Sequence, residues 1–214
     1  MRIGILGTGG MASALAEAWA RGGHDVLVGG RSLDKARVIA DRLGDAVEAA
    51  TPARVAGACE AAVVALAWEG IGPVLALAGA GEGSLAGKPV IDCTNAVDFA
   101  TGLLKPPTGS AVQYVAERAV GSRPVKALHL FAGTSWLTRP AAGQPPRTVA
   151  MCGDDAAALA TAATLIRDLG GVPAVIGGLD HARQLEGVAG VVMRLVAEGH
   201  NPVTAVPDVA PSQR

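Results

Sequence analysis

Aromatic side chains are scarce: the 214 residues include three tryptophans, two phenylalanines and one tyrosine. The core must therefore be assembled from small aliphatic side chains, which suits close packing of helices on a sheet. Cysteine is equally sparse. Cys59, Cys93 and Cys152 are scattered, odd in number and outside any C-x-x-C pattern. That excludes a disulfide framework and a cysteine-rich metal site, and it fits a reducing cytoplasm. Neither charge is in surplus: eighteen basic against nineteen acidic residues give a formal charge of −1. Such a balance supplies no field for a polyanion, so nucleic acid is not expected as a partner. Long apolar runs are missing too. The greasiest stretch, 55–81, is broken by Glu60, Glu69 and Pro73, and the apolar start Ile3–Leu6 is too short for a signal-peptide core. The expectation is a soluble, cytoplasmic protein with no membrane association.

Half of the residues are apolar, enough to bury a sizeable core in one large domain or a domain with a small appendage. Short β-branched runs alternate with longer Ala/Leu-rich segments, the pattern of βαβ units around a mostly parallel sheet. Strands are expected at 2–6, 25–28, 46–48, 61–66, 88–92, 125–128, 148–151 and 172–176, with helices between most of them. The segments 93–110 and 129–147 are long and irregular, as functional loops often are. Gly177-Gly178 marks a hinge, and 180–198 carries apolar residues at helical spacing. The fold class is α/β: a Rossmann-type, doubly wound sheet over 1–177, followed by a small C-terminal helical segment and loose tail over 178–214. Burying both faces of that last helix calls for a second subunit, so a homodimer is expected.

The first strand runs straight into Gly7-Thr8-Gly9-Gly10-Met11-Ala12, a G-x-G-x-x-A loop that opens a helix. The first glycine permits the tight turn, the second lets backbone approach a pyrophosphate, and the small third residue allows helix–strand packing. The helix N-terminus then offers free N–H groups to phosphates. The end of the second strand selects the cofactor. An NAD site would put Asp or Glu there for the ribose 2′-hydroxyl. Here the chain reads Gly29-Gly30-Arg31-Ser32, with Lys35 one turn later. A guanidinium, a hydroxyl and an ammonium converge where a 2′-phosphate would lie, so NADP(H) is the expected cofactor.

Several later segments carry a resemblance. Val63-Val64-Ala65-Leu66-Ala67-Trp68-Glu69, Lys126-Ala127-Leu128-His129, Met151-Cys152-Gly153-Asp154-Asp155, and Gly177-Gly178 followed by Arg183 and Glu186 together resemble the F420-dependent NADP oxidoreductase family. The likeness runs from residue 1 to about 200. It implies hydride transfer between NADPH and the deazaflavin coenzyme F420, with F420 as co-substrate. It also implies that Thr8 to Met11 cradle the pyrophosphate, and that Arg31 and Lys35 with the backbone of Gly30 hold the 2′-phosphate. By the same likeness Ala67 and Trp68 lie beside the cofactor, and the backbone of Ala132-Gly133 lies near the nicotinamide. The chain departs from the family pattern at Gly30, where a serine is usual, at Ala67 for proline, and at Phe131-Ala132-Gly133 for Ile-Pro-Ala.

Direct hydride transfer needs two stacked rings and exclusion of water, not a nucleophile or a metal. Leu130, Phe131, Trp136, Val192, Met193 and Val196 are candidate walls, and Lys105, Arg118, Arg139, Arg147 and Arg183 candidate cations for an anionic tail. His129, at a strand end, is a candidate orienting residue or a loop anchor; Asn95 is a candidate for the cofactor ribose or carboxamide. Cys93 reads as a packing thiol and His24 as a surface residue. Arg183 and Glu186 have i,i+3 ion-pair spacing, and Asp154-Asp155 suits a helix cap better than a metal. Two other functions stay open: reduction of a small imine or carbonyl, as in pyrroline-5-carboxylate reductases, and a non-catalytic NADPH-binding sensor.

Overall fold

The structure is a computed structural model that describes residues 1–138 and 143–205. Its strands are β1 (Arg2–Leu6), β2 (Asp25–Gly29), β3 (Val47–Ala50), β4 (Ala61–Val64), β5 (Pro89–Asp92), β6 (Arg123–Lys126), β7 (Thr148–Gly153) and β8 (Val172–Gly177). The helices are α1 (Gly10–Arg21), α2 (Leu33–Leu43), α3 (Pro52–Ala58), α4 (Trp68–Leu77), α5 (Ala111–Arg118), α6 (Ala156–Asp168) and α7 (Ala182–Ala197). They build one sheet of order β3-β2-β1-β4-β5-β6-β7-β8. The first six strands in that order run parallel; β7 is antiparallel to β6, and β8 parallel to β7. The chain winds outward from β1 to β3, then returns to place β4 on the other side of β1. That reversal parts the loops at the carboxyl ends of β1 and β4 and opens a crevice there.

Both faces of the sheet are covered, so the central strands read as near-continuous apolar runs rather than alternating ones. Ile3, Ile5, Val28, Val63 and Ile91 pack beneath α1, α2 and α6, with Leu15, Trp19, Leu165 and Ile166. Leu6, Leu27, Val64 and Val90 pack on the opposite face with Val55, Ile71, Leu75 and Val115 from α3, α4 and α5. Trp19 is the largest side chain in the core, fully buried, and its indole N–H donates to the Leu165 carbonyl at 3.1 Å. One tryptophan thus stitches α1 to α6. A third, small core of Val112, Cys152, Ala182 and Leu185 docks α7 on α5 and β7.

Most helices end on their own side chains. Ser32, Thr51, Ser110 and Asp155 cap α2, α3, α5 and α6 by accepting a backbone N–H. Asp154 accepts the Leu179 N–H at 2.9 Å, so the acidic pair does serve helix and turn starts. Neither Gly9 before α1 nor Ala67 before α4 supplies a side-chain cap.

Three expectations shift. β4 ends at Val64 rather than at residue 66, and α4 starts at Trp68, which puts the tryptophan on the helix. β6 runs over 123–126 rather than 125–128, because Leu128 turns out of the strand in the left-handed region at φ 63°. His24 is not a surface residue: it is 9% exposed, its Nε2 donates to Asp168 of α6 at 3.0 Å, and the amino terminus approaches Nδ1 at 3.4 Å. Asp168 lies 144 positions away, so nothing local signals that contact. Arg139 and the tail from 206 onward lie outside the described residues.

Candidate functional site

The turn after β1 is fixed by close backbone approach. The Gly7 N–H donates to the Gly29 carbonyl at 2.7 Å, tying the ends of β1 and β2 together. Gly7 sits at φ +146°, and a Cβ there would collide with the Ala65 carbonyl. Gly9 and Gly10 are different: a Cβ on either would meet nothing within 4 Å. Gly9 fronts a cleft of about 210 Å³ bounded also by Thr8, Gly30, Arg31, Ser32, Lys35, Ala65, Leu66, Ala67 and Val74. Two helix starts without side-chain caps, α1 and α4, adjoin that cleft, so its backbone donors carry the positive ends of two helix dipoles.

Charge at the cleft is positive and unspent. The only acidic neighbour in the first turn of α2, Asp34, is engaged by Arg37 at 2.8 Å. Arg31 and the Lys35 ammonium are exposed and have no hydrogen bond or ion pair among the described residues. Ser32 Oγ accepts the Lys35 N–H at 3.3 Å, which leaves its own hydroxyl proton free to donate. Gly30 lies against Thr8; a Cβ there would come within 3.2 Å of the Thr8 methyl. Thr8 and Gly9, expected at the pyrophosphate, therefore share one cleft with Gly30, Arg31, Ser32 and Lys35, expected at the phosphorylated ribose.

Ala132 and Gly133 join the same neighbourhood. Gly133 opens a one-turn 3-10 segment (Gly133–Trp136), and a Cβ on it would lie 3.0 Å from Met11 Cα and 3.1 Å from the Gly10 carbonyl oxygen. Trp68 does not line the cleft. It packs on Tyr114 with ring centroids 4.7 Å apart, over which the Arg118 guanidinium sits at 3.3 Å, and it borders a separate groove of about 670 Å³. Phe131 and Trp136 contact each other at 5.3 Å and pack into the core beside α1, rather than walling an open slot. Val196 is 58% exposed. Among the expected cations, Lys105 pairs with Glu69, Arg147 donates to the Thr138 carbonyl, and Arg183 donates to the carbonyls of Pro106, Pro107 and Gly109.

Asn95 and His129 meet at the ends of β5 and β6. The Asn95 amide donates to the His129 carbonyl at 2.7 Å, leaving Oδ1 buried and unpaired. His129 Nε2 donates to the Leu185 carbonyl at 3.1 Å, which fixes the tautomer and leaves Nδ1 as a buried, unpaired acceptor. Burial, aided by the nearby Lys126 charge, lowers the His129 pKa to about 3, so the ring is neutral. Cys93 beside them is a packing thiol: it donates to the Val64 carbonyl at 3.1 Å, and burial pushes its pKa up to about 12.

One constellation escaped the sequence reading. Glu186 is not paired with Arg183 on the helix surface. It is fully buried and meets Lys126, itself fully buried, at 2.9 Å, while Lys126 also bonds Asp92 at 2.8 Å. Burial pulls the Lys126 pKa down, but the two carboxylates outweigh it and hold the ammonium charged, above its usual value. The visible signal was a lysine within an apolar strand end, Val125-Lys126-Ala127-Leu128. Among the described residues, no group of three or more His, Cys, Asp or Glu could hold a metal ion, and no helix is long and apolar enough to cross a membrane.

A sheet whose winding reverses at a glycine loop, with helix starts and free cations turned toward that loop, places the chain among the Rossmann-type nucleotide-binding proteins. Residues 2–96 match the family described as NADP oxidoreductase, coenzyme F420-dependent. The chain is 29% identical over 217 aligned residues to an F420-dependent NADP reductase of Methanothermobacter marburgensis, covering 91% of this chain and 92% of that one. A crystal structure from Arthrobacter sp. FB24, described as a candidate F420-dependent NADP reductase, is 31% identical with a TM-score of 0.81, covering 92% of this chain and 95% of that chain. An imine reductase of Streptomyces aurantiacus shares the fold at 20% identity and a TM-score of 0.63, with 92% of this chain and 61% of that chain covered. The protein belongs to the F420-dependent NADP oxidoreductase family and is an NADP-dependent oxidoreductase.

Proposed function

We propose that this chain transfers hydride between NADPH and the deazaflavin coenzyme F420. The observation that carries the cofactor half is the pair of unpartnered cations, Arg31 and Lys35, beside a glycine loop whose Gly9 and Gly10 leave room for phosphate oxygens. The acceptor half is supported by family membership and by relatives covered over nearly their whole length.

In this reading Arg31, Lys35 and the Ser32 hydroxyl hold the 2′-phosphate, with the Gly30 backbone beneath it. The N–H groups of Gly9, Gly10 and Met11, after the Thr8 turn, hold the pyrophosphate. Ala67 walls the ribose, and Gly133, small enough to lie on Met11, brings the Ala132-Gly133 backbone toward the nicotinamide. The unpaired Asn95 Oδ1 is an acceptor suited to a carboxamide N–H. His129, neutral and anchored to α7, orients without exchanging a proton. Trp68, turned to Tyr114, acts through the adjoining groove. NADPH supplies the hydride and F420 accepts it; the chain aligns the two rings and keeps water out. Residues 178–205 close the acceptor side of the 1–177 unit. The exposed Val188, Val191 and Val196 on α7 suit a homodimer, and three buried free thiols suit a cytoplasmic setting.

The test is spectrophotometric: purified protein, NADPH and oxidised F420, following loss of deazaflavin absorbance, with pyrroline-5-carboxylate run in parallel. Bleaching that needs both protein and NADPH is expected. NADPH consumption with the imine alone would transfer the chain to imine reduction. Tight NADPH binding without turnover of either would make it a sensor.

A further inference from the structure

The buried ions form part of a continuous network. Asp92 and Lys126 are register partners on β5 and β6, and Lys126 also faces Cys152 across the antiparallel pairing with β7. The three protons of its ammonium go to Asp92 Oδ2, Glu186 Oε1 and the Thr94 carbonyl. Glu186 accepts the Ala111 N–H at the start of α5 through both oxygens, at 2.9 and 3.0 Å. The other Asp92 oxygen accepts the Thr94 N–H at 3.0 Å. A second line runs beside the first, from the Asn95 amide to the His129 carbonyl and from the His129 ring to the Leu185 carbonyl. Two adjacent residues of α7 are thereby tied to the segment after β5 and to the end of β6.

Such a cluster is a poor route to stability. Well-packed apolar side chains of similar volume commonly serve as well or better, because both ions lose their hydration. Its yield is geometric. Gly190 of α7 lies so close to the Gly102 carbonyl that no side chain fits between them, so α7 has little room for an alternative seat. Leu128, immediately before His129, holds a left-handed backbone that a leucine rarely adopts, so the surroundings impose its conformation.

We infer that Lys126 and Glu186 are positioning residues: their buried ion pair fixes α7 against Thr94, Asn95 and His129, and so sets how α7 and the segment after β5 stand around the residues that orient the nicotinamide. The inference rests on the hydride-transfer reading for its consequence, though not for its geometry. The 2′-phosphate cleft lies beyond β1 and shares no bond with this network.

The experiment compares wild type, Glu186→Gln and the triple variant D92N/K126M/E186Q, which keeps an acceptor for the Ala111 N–H, using amide hydrogen exchange together with NADPH affinity and steady-state kinetics with F420. Glu186→Gln keeps the size and one acceptor oxygen. It should exchange faster over 182–197 and 94–97 together, with 2–29 unchanged. NADPH affinity should fall no more than a few-fold, through Asn95, because the phosphate cleft is untouched, while kcat falls on the order of ten- to a hundredfold, as for a small misplacement of reacting rings. The triple variant removes all three charges, so it should keep its thermal midpoint yet remain slow. Recovery of kcat along with stability would overturn the inference, as would faster exchange confined to α7 or spread evenly over the whole chain. If wild type fails to turn over F420, the functional reading fails, while the joint exchange of the two segments still decides whether the network couples them.

Discussion

Replacing Arg31 with alanine isolates the cofactor choice. Its guanidinium has no partner among the described residues, so its removal breaks no internal bond and should leave the thermal midpoint unchanged. The whole effect then falls on binding. A charge-assisted hydrogen bond contributes about 1.5–3 kcal/mol, and an exposed site belongs at the lower end because water and salt screen it. At roughly 1.4 kcal/mol per decade, NADPH should bind about ten- to thirtyfold more weakly, and NADH should bind as before. Lys35→Ala should cost less, since an ammonium is a point charge on a flexible stem. The double variant should lose most of the preference for NADPH. Titration of intrinsic tryptophan fluorescence with each nucleotide, at two salt concentrations, reads all of these quantities. The gap between NADPH and NADH should narrow as salt rises. Equal losses for the two nucleotides would refute the reasoning, because only the 2′-phosphate distinguishes them.

Three other outcomes follow from the geometry. Gly133→Ala places a methyl 3.0–3.1 Å from the Met11 and Gly10 backbone, so NADPH affinity should drop with a folded chain, measurable by the same titration. His129 has a folded pKa of about 3 against about 6.5 unfolded, so the unfolded chain takes up its proton first. That contribution to stability is intact above about pH 6.5 and is lost as pH falls toward 3, by up to about 1.4 kcal/mol per pH unit. His129→Gln should therefore flatten the loss between pH 7 and pH 5 in urea unfolding, and the pH–rate profile should show no His129 limb between pH 5 and 8. Finally, the three cysteines are buried, and burial raises the pKa of each, to about 12 for Cys93 and about 11 for Cys152. A thiol reagent should label none of them in the native chain and all of them in denaturant.

Local patterns carried much of the fold. Arg2–Leu6 and Gly10–Arg21 are legible to the residue, because a glycine turn separates an apolar run from a helical one and each edge has its own chemical marker. The phosphate-side residues were legible for the same reason: Thr8, Gly9, Gly30, Arg31 and Lys35 lie within two short segments whose pairing through β1 and β2 is dictated by the winding. What depends on distant partners was not legible. Nothing in Thr148–Gly153 states that it will run antiparallel to β6, since strand direction follows from the path of the preceding loop. His24 reads as a surface residue in sequence because its partner, Asp168, is on α6. Glu186 and Arg183 have the spacing of a surface pair, and only the docking of α7 on α5 separates them, sending one inward to Lys126 and the other to the carbonyls of 106–109.

The two glycines that flank Thr8 answer to different pressures. Gly7 is a demand of the architecture: any other residue would drive a methyl into the Ala65 carbonyl, ligand or no ligand. Gly9 has an ordinary backbone at φ −87° and open space where a side chain would go. Selection for thermostability alone would therefore favour an aspartate or serine there, since such a residue caps α1 and adds about 1 kcal/mol. The capping oxygen would also occupy the donors that face the cleft, and an aspartate would repel phosphate. Robustness and cofactor affinity thus compete for the same few N–H groups. A variant engineered without NADPH in the screen would drift toward a sturdier protein that no longer binds its coenzyme.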